Sequence, residues 1–170
     1  MKILKSFDGT KVAYRQVDGK KNLPTLVFLH GVGGNWTVWR HELEAFEKKG
    51  YSTIAIDLRG HGESDSPLPF HKYKHTSFVR DVYEILKKEK ITHIADFHNV
   101  LRSKLLRALF ILSGKPSVSI NKGRAEKKAL TRTTNKVFRQ LKTSHQRYAD
   151  VLSTLGFSLD RTNTLLIKKK

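Results

Sequence analysis

Apolar positions along the chain change period in a recurring order, with unbroken apolar runs alternating with apolar residues spaced three and four apart. Residues 25–29 (Thr-Leu-Val-Phe-Leu) and 51–56 are runs of the length that suits strands buried in a parallel sheet. Between them Trp36, Trp39, Leu43 and Phe46 recur at helical spacing, with Asn35 placed to cap the helix and Gly50 to close it. Strand, helix, strand in that order predicts a right-handed crossover in a parallel sheet. Ahead of this unit, residues 1–7 and 11–16 are short mixed runs separated by the turn signal Asp8-Gly9, which predicts an antiparallel ribbon at the sheet edge.

The pattern continues past residue 57. A helix beginning at Thr76 or Ser77 and running through Lys88 would bury Phe78, Val82, Ile85 and Leu86, and residues 91–97 read as the next buried strand. Residues 99–113 predict a helix carrying Val100, Leu101, Leu105, Ala108, Leu109 and Leu112, stopped by Gly114 and Pro116. Residues 117–120 alternate like a short strand. A last helix is capped by Thr143 or Ser144, has Tyr148, Val151, Leu152 and Leu155 on its apolar face, and stops at Gly156. Thr164-Leu-Leu-Ile167 reads as the start of a strand that the terminal lysines cut short. The predicted fold class is α/β, a three-layer sandwich with a mostly parallel sheet and an N-terminal β-ribbon, truncated at its end.

Composition narrows the chemistry. With 170 residues the chain has room for one compact domain, or for one and a fragment of another. It contains no cysteine, which excludes disulfides, thiolate metal sites and cysteine nucleophiles. No metal ligand set and no cofactor motif is predicted. The first residues lack an apolar segment of signal-peptide length, and Arg102, Lys104 and Arg107 interrupt the longest apolar runs, so a soluble cytoplasmic protein without a membrane span is expected. The net charge of +18 is uneven, roughly +5 over residues 1–94 and roughly +13 over residues 95–170. That step marks a composition boundary.

Two glycine-punctuated turns carry the candidate chemistry of the first half. His30-Gly31-Val32-Gly33-Gly34 follows the first apolar strand, where glycines let the backbone approach a ligand, and Asp57-Leu-Arg-Gly-His-Gly-Glu-Ser-Asp65 follows the second. Together with Asp8-Gly9-Thr10, the helix containing Trp39 and the helix around 78–86, these residues resemble the opening of an α/β-hydrolase fold enzyme over about residues 1–94. The resemblance implies an oxyanion loop at His30, Gly31, Val32 and Gly33, with the backbone N–H of about Val32 as donor. It also implies that the next strand runs into Gly-x-Ser-x-Gly. That elbow is missing. Alignment brings Val100 to the nucleophile position, and its neighbours His98, Asn99, Leu101 and Arg102 supply no glycine.

No other residue replaces it at this level of reading. Ser64 lies in the wrong turn, Ser113 lacks the first glycine, and Asp96, the counterpart of a dehalogenase-like aspartate, sits inside the predicted strand without a turn. A triad in the order nucleophile, acid, histidine fails as well, because His145 precedes both Asp150 and Asp160.

A second resemblance begins where the first ends. Ala95-Asp-Phe-His-Asn-Val-Leu-Arg-Ser-Lys104, Leu112-Ser-Gly-Lys-Pro116, Lys122-Gly-Arg-Ala-Glu-Lys-Lys-Ala-Leu-Thr-Arg132 and His145-Gln-Arg-Tyr-Ala-Asp-Val-Leu152 resemble the N-terminal domain of glycosyltransferase family 9, the ADP-heptose:lipopolysaccharide heptosyltransferases, over about residues 94–160. This implies that Arg102, with Lys104, contacts an anionic sugar acceptor. On a regular helix the two side chains are about 160° apart, so they do not converge on one ligand atom. If residues 122–139 were helical, Arg124, Lys128, Arg132, Lys136 and Arg139 would form one basic stripe.

The expectation is therefore a catalytically incomplete chimera, hydrolase-like over 1–94 and heptosyltransferase-like over 95–170, the two parts sharing one sheet. Three alternatives stand beside it: an ester-type hydrolase with an unrecognised nucleophile, a glycosyltransferase fragment binding an anionic lipopolysaccharide-core acceptor, and a non-catalytic polyanion binder.

Overall fold

The computed structural model describes residues 1–157. The chain divides into two compact units, Met1–Ile91 and Thr92–Lys170. In the first unit, β1 (Lys2–Lys5) and β2 (Lys11–Val17) form the expected antiparallel ribbon around Asp8-Gly9, with Gly9 at φ +84°. Strands β3 (Thr25–Leu29) and β4 (Ser52–Ile56) pair in parallel, as the crossover requires. Their connection is a 3₁₀ turn, Trp36–Trp39, running into α1 (Arg40–Lys48), and the Asn35 side chain accepts the Thr37 N–H at the start.

The sheet order is β1-β2-β4-β3. Because β2 pairs antiparallel with both β1 and β4, this sheet is mixed rather than mostly parallel. The ribbon docks on the strand that the crossover places inside, which leaves β3 at the edge. For that reason β3 is only half-buried along its whole length, while Ile54, Ala55 and Ile56 of β4 are fully buried.

Neighbouring residues of β2 show the layers. Arg15 reaches Glu47 of α1, and Tyr14 donates to Glu89 at the end of α2 (His75–Lys88). Successive residues of a strand point to opposite faces, so the two helices cover opposite sides of the sheet. Ser77, Val79, Asp81, Val82, Ile85 and Leu86 form the buried side of α2.

The strand expected over residues 91–97 is reduced to β5 (Ile94–Asp96). The end of α2 explains the loss. Lys90 adopts φ +55°, and the Ile91 N–H turns back to the Leu86 carbonyl, so Ile91 belongs to the helix cap. Strand β5 pairs in parallel with β6 (Ser117–Ser119), and the two form a sheet of their own among the described residues, not an extension of the first.

In this second unit α3 (Leu101–Leu112) buries Leu106 and Phe110, while Leu101, Leu105, Ala108 and Leu112 face solvent. A two-stranded sheet covers only a narrow strip of helix. Helix α4 (Arg124–Leu130) ends early, which places Arg132, Lys136 and Arg139 outside any helical stripe. Helix α5 (Ser144–Thr154) is capped by a reciprocal pair, Thr143 with Gln146, and buries Arg147, Ala149 and Val151. The Arg147 guanidinium donates to the Asn121 carbonyl and to Glu126, and occupies the space a Cβ on Gly123 would need. The strand expected over 164–167 lies outside the described residues.

Candidate functional site

The turn after β4 is tied together by its own motif. Asp57 is fully buried, and its two carboxylate oxygens accept the N–H groups of Trp36 at 2.6 Å and Glu63 at 3.0 Å. One residue thereby fixes the start of the 3₁₀ turn and the turn that follows β4. Gly62 lies so close to Asp57 that a Cβ would come within 2.1 Å of its Oδ2. Ser64 donates to the Asp57 carbonyl and accepts the Ala13 N–H, joining the turn to β2. Its hydroxyl is committed to two backbone partners.

Arg59 completes this arrangement from a fully buried position. It forms a two-pronged pair with Asp81 of α2, through Nε at 2.6 Å and Nη2 at 2.7 Å, and donates through Nη1 to Asp8 at 3.0 Å and the Lys72 carbonyl at 2.7 Å. Ser6 adds a hydrogen bond to Asp81. Burial opposes the charge of Asp8, but hydrogen bonds from Arg59 and Thr10 outweigh it and hold the carboxyl well below the usual carboxylate range. The Asp57-to-Ser64 motif is thus a structural knot that positions the loop beside it.

That loop is residues 30–34. The Leu58 N–H donates to His30 Nε2 at 3.0 Å, which makes Nδ1 the protonated nitrogen; Nδ1 in turn donates to the Gly31 carbonyl at 2.6 Å. The Gly34 N–H reaches the same carbonyl at 3.2 Å. In a trans peptide the C=O and the following N–H point to opposite sides. With the Gly31 carbonyl taken by two donors, the Val32 N–H of the same peptide points away from them, and Val32 is 74% exposed. The next N–H, of Gly33, donates to His61 Nε2 at 3.2 Å. His30, Gly31 and Gly33 therefore shape the loop, and the Val32 N–H lies on the side away from their contacts. Sequence reading missed His61. Its signal was the histidine between the two glycines of the turn after β4.

Asp96 is the last residue of β5, and a turn with Asn99 at φ +46° leads from it into α3, so strand, turn and helix are all present. This differs from the expectation of Asp96 inside the strand without a turn. Its carboxylate faces inward, however. Oδ1 accepts the N–H groups of His98 and Asn99, and Oδ2 lies 3.1 Å from Arg107 Nε, at ion-pair distance but out of line for a hydrogen bond. Val100, the position reached by alignment, caps α3 through its backbone, whose N–H donates to Ser103 Oγ.

Among the cationic candidates, Lys104 lines a shallow cavity beyond the ends of β5 and β6 with Asn99, Asn121, Lys122 and Arg124. Arg102 is not among the lining residues. This matches the angular separation of the two side chains on α3.

A family described as alpha/beta hydrolase fold matches residues 24–97. This part of the chain has the α/β-hydrolase fold. Epoxide hydrolase 3 of Xenopus tropicalis is 41% identical over 69 residues, 41% of this chain and 18% of the relative. Protein ABHD8 of Homo sapiens is 38% identical over 63 residues, 37% of this chain and 14% of the relative. The chain thus spans less than a fifth of the length of either.

Two solved structures share the fold at low identity. An epoxide hydrolase from Vigna radiata is 22% identical, covers 71% of this chain and 39% of its own, and has a TM-score of 0.53. An esterase from Exiguobacterium antarcticum is 19% identical, covers 91% of this chain and 59% of its own, and has a TM-score of 0.54. The latter likeness extends past the first unit. The heptosyltransferase-like reading of residues 94–160 draws no support from these relatives. No helix among the described residues is long and apolar enough to cross a membrane.

Proposed function

We propose that the chain carries the oxyanion side of an α/β-hydrolase-type hydrolase, with an epoxide or an ester as the substrate class. The observation that carries this reading is the outward Val32 N–H, held by a carbonyl clamped between His30 and Gly34. A fixed N–H aimed at developing negative charge is what such hydrolysis requires, because the donor needs no reorganisation when the oxyanion forms. The oxygens of Ser64 and Asp57 are bound to backbone partners, and Asp96 is turned towards Arg107, so none of these groups is poised as a nucleophile. The 170 residues by themselves are therefore expected to bind an oxyanion without turning over substrate.

Titration of ¹⁵N-labelled protein with phenylphosphonate tests this: the Val32 amide shifts first among the backbone signals. A Val32 signal that stays still while others move sinks the assignment. A fluorophosphonate probe and p-nitrophenyl esters should give no label and no turnover. A labelled serine would show that a nucleophile is present after all.

A second reading rests on the cavity in the second unit. Lys104, Lys122 and Arg124 line it together with Asn99 and Asn121, a lining suited to an anionic ligand such as the charged sugar acceptor of a glycosyltransferase-like segment.

A further inference from the structure

The loop that offers the Val32 N–H is held at a second point that the oxyanion reading does not explain. The peptide before Val32 is fixed by His30, whereas the peptide after it is fixed by His61, which belongs to the turn following β4. His61 Nε2 accepts the Gly33 N–H at 3.2 Å, and its Nδ1 lies 3.0 Å from the Arg59 carbonyl. A carbonyl accepts only, so Nδ1 must carry the proton and Nε2 must be bare. One neutral tautomer satisfies both contacts.

We propose that His61 is a positioning residue for the oxyanion loop: as a neutral imidazole it clasps the Gly33 N–H, and on taking a proton at Nε2 it releases the loop. The proton comes from solvent and occupies the lone pair that the Gly33 N–H was using. Two N–H groups then face each other, and the hydrogen bond breaks. Gly33 has φ +82° and a Cβ there would meet nothing within 4 Å, so no side-chain packing holds the Gly33 position itself. Both histidines have their ring nitrogens engaged by backbone, but His30, just after β3, is buried, whereas His61 is half-buried.

His30 faces His61 from the strand side with ring centroids 5.1 Å apart, and Asp57 and Glu63 lie on its own turn. Tyr73 packs against Gly60. The Arg59 guanidinium is directed to Asp81 and Asp8. Asp57 is occupied by two backbone N–H groups and does not compete for the imidazole.

The inference rests on the reading of residues 30–33 as an oxyanion loop, but its test needs no substrate and stands apart from the phosphonate titration. In the ¹⁵N-labelled chain, long-range imidazole spectra report the His61 tautomer while the Gly33 amide is followed as the pH is lowered from about 8. The expected result is the Nδ1–H tautomer at the upper end and a Gly33 amide that titrates together with the His61 ring, losing its hydrogen-bonded shift. His61→Gln, whose side-chain carbonyl still accepts, keeps the Gly33 signal near its starting position and removes its pH dependence. His61→Ala displaces it at every pH. A merely space-filling role would leave Gln and Ala alike. The opposite tautomer at the upper end, or a Gly33 amide that does not follow His61, overturns the proposal. If either variant fails to fold, the titration of the unmodified chain decides alone.

Discussion

Arg59 shows how much of the first unit depends on single side chains. Its guanidinium is fully buried and joins α2 through Asp81, the β1–β2 turn through Asp8, and the segment before α2 through the Lys72 carbonyl. A lysine offers one point charge instead of a rigid fork and would leave part of this set unpaired. The pH dependence follows from Asp8, whose folded carboxyl is held well below its ordinary value. A depressed carboxyl stabilises the fold above the unfolded value, near about 4, and that stabilisation is lost as pH falls towards the folded value. Urea unfolding from pH 6 downwards, taken in steps to about pH 2.5, should therefore show stability declining at the acidic end, and Asp8→Asn should flatten that decline. An unchanged acid limb in the variant would place the sensitivity elsewhere.

At the scale of elements, several helix termini and the crossover were legible, though α2 begins at His75 behind Lys74 rather than at Thr76 or Ser77, and which face each helix buries was not always so. Asn35, Gly50, Thr143 and Gly156 act where their chemistry indicated, since caps and left-handed stops are local properties of the backbone. Helix α3 differs. Its apolar residues surround much of the helix, so periodicity alone does not select the side that meets the sheet, and Leu106 and Phe110 are the ones buried. Leu106→Ala should cost about 2–5 kcal/mol, as expected for a large buried aliphatic side chain. Leu112→Ala, at a site 84% exposed, should change stability by less than about 0.5 kcal/mol. Chemical denaturation of the two variants checks the pair, and equal losses would mean that the Leu112 face is covered in solution.

For the whole molecule, the charge is unevenly spread, roughly +5 over residues 1–94 and roughly +13 over residues 95–170. The positive charge gathered after residue 94 includes Lys104, Lys122 and Arg124, which come together only because β5 and β6 end side by side. Inorganic pyrophosphate should raise the melting temperature at low ionic strength, where such attraction is least screened. Exchanging Lys104 and Arg124 for glutamine should weaken that binding about tenfold, as the loss of about 1.4 kcal/mol of interaction implies. Binding unchanged in the double variant would reduce the cluster to a solvated basic surface.

Strands, turns, caps and the missing Gly-x-Ser-x-Gly elbow were written in the sequence, because each depends on residues near one another in the chain. The same holds for the glycine loop at 31–34, whose conformational freedom is local. What holds that loop was decided by tertiary structure. His61 meets Gly33 from 28 positions further along the chain, and Arg59 meets Asp8 and Asp81 from the turn after β4. The inward commitment of Ser64 and Asp96, which withdraws them from chemistry, likewise depends on partners supplied by other elements. Local periodicity can say that a polar group will be buried, but its partner is chosen by how strands and helices pack.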